Sequence, residues 1–367
     1  MKLDDKDKKG KGRPDSKHSR RRRFTEAPNV HHISPVPDGN ENVDFSNFST
    51  RYDSANSAIW CWLNPQPRPC MNSDLLDELL TLQKLLTTTY KNQHPDTIWP
   101  FRHLVIASKV PGIYNLGGDL ELIHACIVNN DRSRLRDYAY KAIDLLQANI
   151  NNLDLPISMI SLVQGQALGA GFEAALSCDV IIAERSAEMG FPEILFNMFP
   201  GMGAYNLLTR RIGPALAERV ILSGRTYSAE ELFGMGLVDV LAEDGTGVDE
   251  VEAYIRSHNR SHNTISSLKK IRQIIDPVKQ SQLTEIVNIW VDASMSLDKK
   301  DLAKMERLLA LQKDTKNSRT IEQNERRHVE RRGDWRKIKD VSFPLVTHLG
   351  ENIMYNRRKS DSRRSSS

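Results

Sequence analysis

At 367 residues, 39% of them hydrophobic, the chain carries enough apolar material for one large domain or two smaller ones. No apolar run reaches the length of a membrane span and the start lacks a signal peptide's apolar core, so a soluble cytoplasmic protein is expected. The four cysteines (Cys61, Cys70, Cys126, Cys178) and the ten histidines show no paired or ligand-type spacing, so no metal site is read and no cofactor is called for.

The formal net charge of +4 is unevenly spread: residues 1–23 and 313–367 each balance at +7, and residues 24–312 at −10. Residues 1–44 read as a basic disordered arm, with Arg20 to Arg23 as its sharpest block, because they cannot bury enough apolar surface to fold alone. Weak binding to nucleic acid, anionic lipid or the acidic core is the functional alternative. The basic block has no interleaved aromatic residues, which speaks against nucleic-acid recognition by base stacking.

From Phe45 the pattern becomes globular. Ser57 to Leu63 reads as a strand, and Asn64 to Pro69, with three prolines, as a rigid extended loop. Asn72 or Ser73 can cap a helix whose apolar face includes Leu75, Leu76, Leu79, Leu80, Leu82, Leu85 and Leu86. His103 to Ser108 is a buried strand leading to Gly117-Gly118-Asp119, where Asp119 can cap the helix Leu120 to Val128. A long amphipathic helix, Ser133 to Leu153, follows. Met159 to Leu168 then reads as one buried strand, with Gly169, Ala170 and Gly171 leading into a short helix, Phe172 to Cys178, and a second buried strand at Val180 to Ala183. After Gly203, Tyr205 to Ile212 and Pro214 to Leu222 are helical, and Ser223 to Ser228 is a turn whose last residue caps another helix. Leu237 to Leu241 is a strand, and Val248 to His258, Thr264 to Ile275 and Lys279 to Gln312 are helical. Beyond lie charge runs with one apolar patch, Val341 to Met354. The alternation of strands and helices argues for an α/β array.

The stretch from Ser161 to Gly203 carries the chemistry. The first amides of the helix after Gly169-Ala170-Gly171 lack intrahelical partners and suit an oxygen that becomes negative during reaction. Glu173 lies in that first turn, and Glu193 follows 20 residues later in Gly-Phe-Pro-Glu. On the residues alone two readings stand: an acid–base pair beside an oxyanion-binding turn, or an ordinary strand-to-helix turn whose glutamate complements the dipole.

Ala167-Leu168-Gly169-Ala170-Gly171-Phe172-Glu173, Gly190-Phe191-Pro192-Glu193 and Phe199-Pro200-Gly201-Met202-Gly203-Ala204 resemble the signature of the crotonase (enoyl-CoA hydratase/isomerase) superfamily. Within it, Tyr114-Asn115-Leu116-Gly117-Gly118-Asp119-Leu120, Gly171 to Cys178 and Ile289-Trp290-Val291-Asp292 resemble diffusible signal factor synthases, which make cis-2-unsaturated fatty-acid signals. The resemblance runs from about Phe45 to Gln312 and implies an α/β spiral of ββα units with a C-terminal helical region. It divides the chain into the arm 1–44, a spiral core 45–257, a helical region 258–315 covering an acyl pocket, and a mostly disordered basic tail 316–367.

The resemblance further implies that the backbone N–H groups of Gly118 and Ala170 hold a thioester carbonyl, with Gly117, Gly169 and Gly171 shaping the site. Glu193 would act as base at C2, and Glu173 as the partner of hydroxyl or water. Many relatives have glycine where Ala170 stands, and the donor survives only if its φ is negative. For Glu173 to act as an acid, an apolar pocket must raise its pKa more than the helix dipole lowers it. Trp290 is a wall for a fatty chain or ordinary core. The implied activity is dehydration of a 3-hydroxyacyl thioester with thioester hydrolysis. The substrate would be carried on acyl carrier protein or CoA, and Arg210-Arg211 is either a basic patch for an acidic carrier or a solvated helix surface. A homo-trimer and contact with a sensor kinase are also implied. A conventional enoyl-CoA hydratase/isomerase and a non-catalytic regulatory binding protein are the alternatives.

Overall fold

The computed structural model describes residues 43–92, 101–313, 345–346 and 352–353. Of the expected disordered arm 1–44, residues 1–42 lie outside the described residues, while Val43 and Asp44 are a strand paired with Thr50 and Ser49; nearly all of the expected tail also lies outside the described residues. A three-stranded antiparallel start, β1 (Val43–Asp44), β2 (Phe48–Asp53) and β3 (Ala58–Leu63), leads through Asn64–Pro69 to α1 (Ser73–Lys91). Asn72 is the cap, its side chain accepting the Leu75 amide at 2.8 Å.

Three successive strand pairs then build the spiral. They are β4 (His103–Ser108) with β5 (Gly112–Asn115), β6 (Ser158–Val163) with β7 (Gly165–Leu168), and β8 (Val180–Glu184) with β9 (Glu188–Gly190). Between them lie α2 (Leu120–Val128) and α3 (Arg132–Ile150) after the first pair, α4 (Ala170–Leu176) after the second, and a 3-10 turn, Glu193–Phe196, after the third. The chain continues through α5 (Ala204–Ile212), α6 (Pro214–Ser223), β10 (Thr226–Ser228), α7 (Ala229–Gly234) and β11 (Val240–Ala242). Four helices follow: α8 (Gly247–His258), α9 (His262–Ile275), α10 (Gln280–Met295) and α11 (Lys299–Lys313). A short antiparallel pair, β12 (Leu345–Val346) and β13 (Asn352–Ile353), is described in the C-terminal extension.

The first strand of each pair joins a seven-stranded sheet in the order β1-β2-β3-β4-β6-β8-β11, parallel from β3 onward. The second joins a four-stranded sheet, β10-β9-β7-β5, parallel except at β10. The α/β class and the spiral of ββα units are those expected. Alternation along β6 explains why that run is apolar throughout: Met159 and Val163 enter the main core, while Ile160 and Leu162 face a second cluster closed by Val251 and Ile255 of α8.

Three expected elements differ. The single strand Met159 to Leu168 is two strands in two sheets, because Gly165 passes so close to the Gly112 carbonyl that a Cβ would collide with it. Ser223 to Ser228 is not only a turn, since Thr226–Ser228 pairs with β9. The helix Lys279 to Gln312 is broken at Ser296–Asp298, where the Asp298 carboxylate accepts the Lys300 and Asp301 amides at 2.7 and 2.9 Å and starts α11 afresh. Among the described residues no helix is long and apolar enough to cross a membrane.

Candidate active site

Because β5 and β7 pair in parallel, they end side by side, and each runs into a glycine turn. Gly117 has φ +93°, and a Cβ there would stand 2.8 Å from the Leu168 carbonyl oxygen and 3.5 Å from the Ala170 nitrogen. The two turns therefore touch. Around the first of them nearly every peptide group is engaged. The Gly117 amide donates to the Asn115 side chain at 2.9 Å, the Gly117 carbonyl accepts from Met71 N–H at 2.7 Å, and the Asp119 amide donates to Tyr138 Oη at 2.9 Å. The Leu116 and Gly118 carbonyls accept from Gln312 Nε2 at 3.0 and 2.9 Å.

What is left over is the Gly118 N–H, which donates to no atom among the described residues. The same holds for Ala170 N–H at the start of α4, while the carbonyl behind it, that of Gly169, accepts from Glu173 N–H at 2.9 Å. In a trans peptide the C=O and N–H point opposite ways, so a bond to each carbonyl aims the amide behind it and polarises it. Ala170 is helical with negative φ, so alanine keeps the donor. Two free, oriented amides side by side make an oxyanion-binding geometry.

Glu173, in the first turn of α4, is 1% exposed. Its Oε1 accepts the Met202 and Ala204 amides at the start of α5, both at 2.9 Å. Burial raises its pKa to about 7, against the lowering effect of those two amides. Desolvation thus outweighs the two hydrogen bonds, as an acid role requires. Glu193 opens the 3-10 turn after Pro192. Its Oε2 is enclosed with no hydrogen-bond partner among the described residues, and its carboxyl lies against Gly169. Its pKa is raised to about 8, first by burial and then by the charge of Glu173. Glu173, with two amide partners, is the better stabilised carboxylate of the two, and Glu193, whose Oε2 has none among the described residues, is the readier to hold a proton.

Glu173, Glu193, Gly118, Ala170 and Trp290 line one inner cavity, about 430 Å³ counted with its open mouth, completed by apolar side chains that include Met198, Met202 and Met305. A second cavity, about 550 Å³ with its open mouth, shares Gly118 and Glu193 and is walled by Gly117, Gly169, Leu308 and Gln312. Trp290 is both core and wall: it is 6% exposed, and Gly201 has no room for a Cβ against its ring. Gly171 lies outside both cavities, its Cα packed on the Asn115 carbonyl. Arg210 and Arg211 are not a free patch. Arg210 pairs with Asp276, and Arg211 holds Asp239 together with the Cys178 and Leu237 carbonyls.

Sequence reasoning missed the buried Arg68, which binds Asp119 at 2.7 Å and also contacts Glu121, as well as Tyr138 Oη and Gln312. Tyr138 falls within the expected helix Ser133 to Leu153 but carries no site signal there, and Gln312 carried none at all.

The enoyl-CoA hydratase/isomerase family model matches residues 94–337, and the chain belongs to that family. Over 146 residues it is 36% identical to the mitochondrial methylglutaconyl-CoA hydratase of Rattus norvegicus, covering 39% of this chain and 43% of that protein. It is 44% identical over 89 residues to the 2,3-dehydroadipyl-CoA hydratase of Escherichia coli strain K12, covering 24% and 35%. The match thus spans less than half the length of each of these two relatives. Among solved structures, an enoyl-CoA hydratase from Bacillus halodurans aligns with TM-score 0.62 at 21% identity, over 71% of this chain and 100% of that one. Pseudomonas aeruginosa DspI aligns with TM-score 0.54 at 24% identity, over 68% and 96%. At such identities the structural likeness speaks to the fold.

Proposed function

We propose that the chain moves water reversibly across C2 and C3 of an acyl thioester. The observation that carries this reading is the convergence on one buried cavity of two unpartnered amides, Gly118 and Ala170, and two carboxyl groups with raised pKa. The amides take the thioester oxygen and stabilise it as enolate character builds. In the hydration direction the resting proton arrangement already fits: Glu173 as carboxylate accepts a proton from water as its oxygen bonds to C3, and Glu193 delivers its proton to C2. Dehydration runs the same path backwards, with Glu193 as C2 base and Glu173 as proton donor to the leaving hydroxyl. The two pKa values, about 7 and about 8, are close enough for either arrangement to be reached.

The finer reading is synthesis of a cis-2-unsaturated fatty-acid signal from a 3-hydroxyacyl thioester, followed by hydrolysis. It is supported by the resemblance of 114–120, 171–178 and 289–292 to signal factor synthases, and by the apolar lining of the inner cavity. In hydrolysis water adds to C1, the same amides hold the tetrahedral oxyanion, and the C1–S bond breaks to release acid and thiol. Arg210 and Arg211 are engaged in ion pairs and offer no free patch to an acyl carrier protein, and the similarity to CoA hydratases supports CoA as the carrier.

Incubation with 3-hydroxyacyl and trans-2-enoyl thioesters of both carriers, followed by mass spectrometry, tests the proposal. Interconversion without free acid supports the hydratase/isomerase reading, and free cis-2-enoic acid supports the signal synthase. No interconversion on any of them sinks both. Self-association remains a proposal as well. It is supported by the row Leu268, Ile271, Ile274 and Ile275 that α9 leaves exposed, and a light-scattering mass equal to one chain would refute it.

A further inference from the structure

We infer that Gln312 of α11 is a positioning residue for the oxyanion-binding turn, an inference that rests on the thioester reading above. Its side chain is 5% exposed, and both Nε2 hydrogens are committed, one to the Leu116 carbonyl at 3.0 Å and one to the Gly118 carbonyl at 2.9 Å. These two carbonyls flank the Gly117–Gly118 peptide on either side. Met71 N–H fixes the middle peptide from behind, and Gln312 prevents the outer two from rotating, so the Gly118 N–H has one direction to face. Rotation of either neighbour would turn that amide away from the cavity, because adjacent peptides share the φ and ψ of the glycines between them.

Gln312 Oε1 is enclosed and has no partner among the described residues, whereas its Nε2 satisfies two carbonyls, so the side chain acts here as a donor only. The geometry accounts for the glutamine through its donor end. It also gives α11 a role beyond covering the cavity. Lys313 pairs with Glu121 at 2.9 Å and Asn197 donates to Asp301 at 3.0 Å, so both ends of α11 are tied to elements that bear the site. Gln312 sits between those ties and carries the helix position into the turn.

The test uses the full chain and a carbonyl-labelled ketone analogue of a saturated acyl-CoA, in which a methylene replaces sulfur so that hydrolysis cannot occur. In the wild type, binding should lower the carbonyl stretching frequency as the two amides polarise it. Gln312→Leu should lose most of that lowering and reduce kcat by about 10-fold or more, since an oxyanion donor is misaimed rather than removed. Its KM should stay within about 3-fold, because the loss falls mainly on the transition state. Gln312→Asn keeps an amide but falls one methylene short, and it gives the same answer should the leucine variant not fold. A folded variant that lowers the frequency as the wild type does, with unchanged kcat, overturns the inference and leaves the thioester reading standing. A wild type that turns thioesters over without lowering the frequency overturns both.

Discussion

Gly169 and Glu193 touch: a Cβ on Gly169 would collide with Glu193 Oε1, and the glycine holds φ +49° with ψ −122°. The residue that leads the chain into the oxyanion amide of Ala170 is thus also the floor on which the second carboxyl rests. Gly169→Ala should disturb both. It forces a side chain into a backbone region that L-residues rarely adopt, a strain of about 1–3 kcal/mol, and it displaces Glu193. Turnover should fall by on the order of 10²-fold from misplacement alone. Steady-state kinetics beside a thermal melt checks this, and wild-type turnover in a folded variant would detach Glu193 from the site.

The carboxyl pair makes a sharper claim. Glu173→Gln and Glu193→Gln keep the shape and remove proton exchange, so each should reduce hydration and dehydration by about 10²–10⁴-fold. The double variant should be little worse than the singles, because one removal and one donation serve a single step. For the wild type, kcat/KM should fall below about pH 7 as Glu173 gains a proton, and fall again above about pH 8 as Glu193 loses its own. A flat profile from pH 6 to 9 would exclude the pair as the acid and base.

Much of this site was legible before any coordinates. The glycine turns and both glutamates are contiguous phrases, so local sequence places them, and pairing of β5 with β7 brings the phrases together. Other features were not legible because their cause lies far along the chain. The break between β6 and β7 depends on Gly112 passing against Gly165. Gln312 is a lone amide near the end of a charged helix, and its meaning depends on two carbonyls nearly 200 residues earlier. Neither a carrier patch nor a solvated surface describes Arg210-Arg211, for a related reason. A pair of arginines looks like a surface patch until Asp276, Asp239 and the carbonyls after α4 are brought against it.

The same pKa values carry a stability cost with a definite sign. Both glutamates are raised above the ordinary glutamate value of about 4.5, so protonation favours the folded chain: that contribution is fully present below about pH 4.5 and is lost as pH rises through about 7 and 8. Glu193→Gln, which stays neutral, should therefore be more stable than the wild type at pH 8.5, by on the order of 5 kcal/mol, and nearly equal to it at pH 4.5. Denaturant unfolding at the two pH values measures the difference. A variant less stable at high pH would mean that Glu193 is held as a carboxylate by a partner.

Gly118 separates the donor from the turn. Gly118→Pro deletes the N–H, whereas Gly118→Ala keeps it and meets Ile123 Cδ1 at 3.2 Å, a contact that a small side-chain shift relieves. The proline variant should lose hydration and thioester hydrolysis together by about 10²–10³-fold, while the alanine variant should retain most of both. Equal losses in the two would assign the effect to crowding rather than to the amide.

The last prediction concerns where the catalytic unit ends, which we propose to be near residue 315. The walls of the two cavities are contributed as late as Met305, Leu308 and Gln312, and α11 closes at Lys313. A chain from 43 to 315 keeps every described element from β1 to α11. It should unfold cooperatively and keep turnover close to that of the full chain. A chain from 43 to 298 loses α11, opens both cavities to water and frees the carbonyls of Leu116 and Gly118. Water would then solvate the carboxyls, so their pKa values should move back toward the ordinary range, and turnover should fall by 10²-fold or more, roughly the worth of an oriented donor. Thermal melts and kinetics on a long-chain substrate compare the three chains. If the 43–315 chain aggregates, or works on short but not long acyl thioesters, the residues beyond 315 contribute to the acyl site and the proposed boundary is wrong.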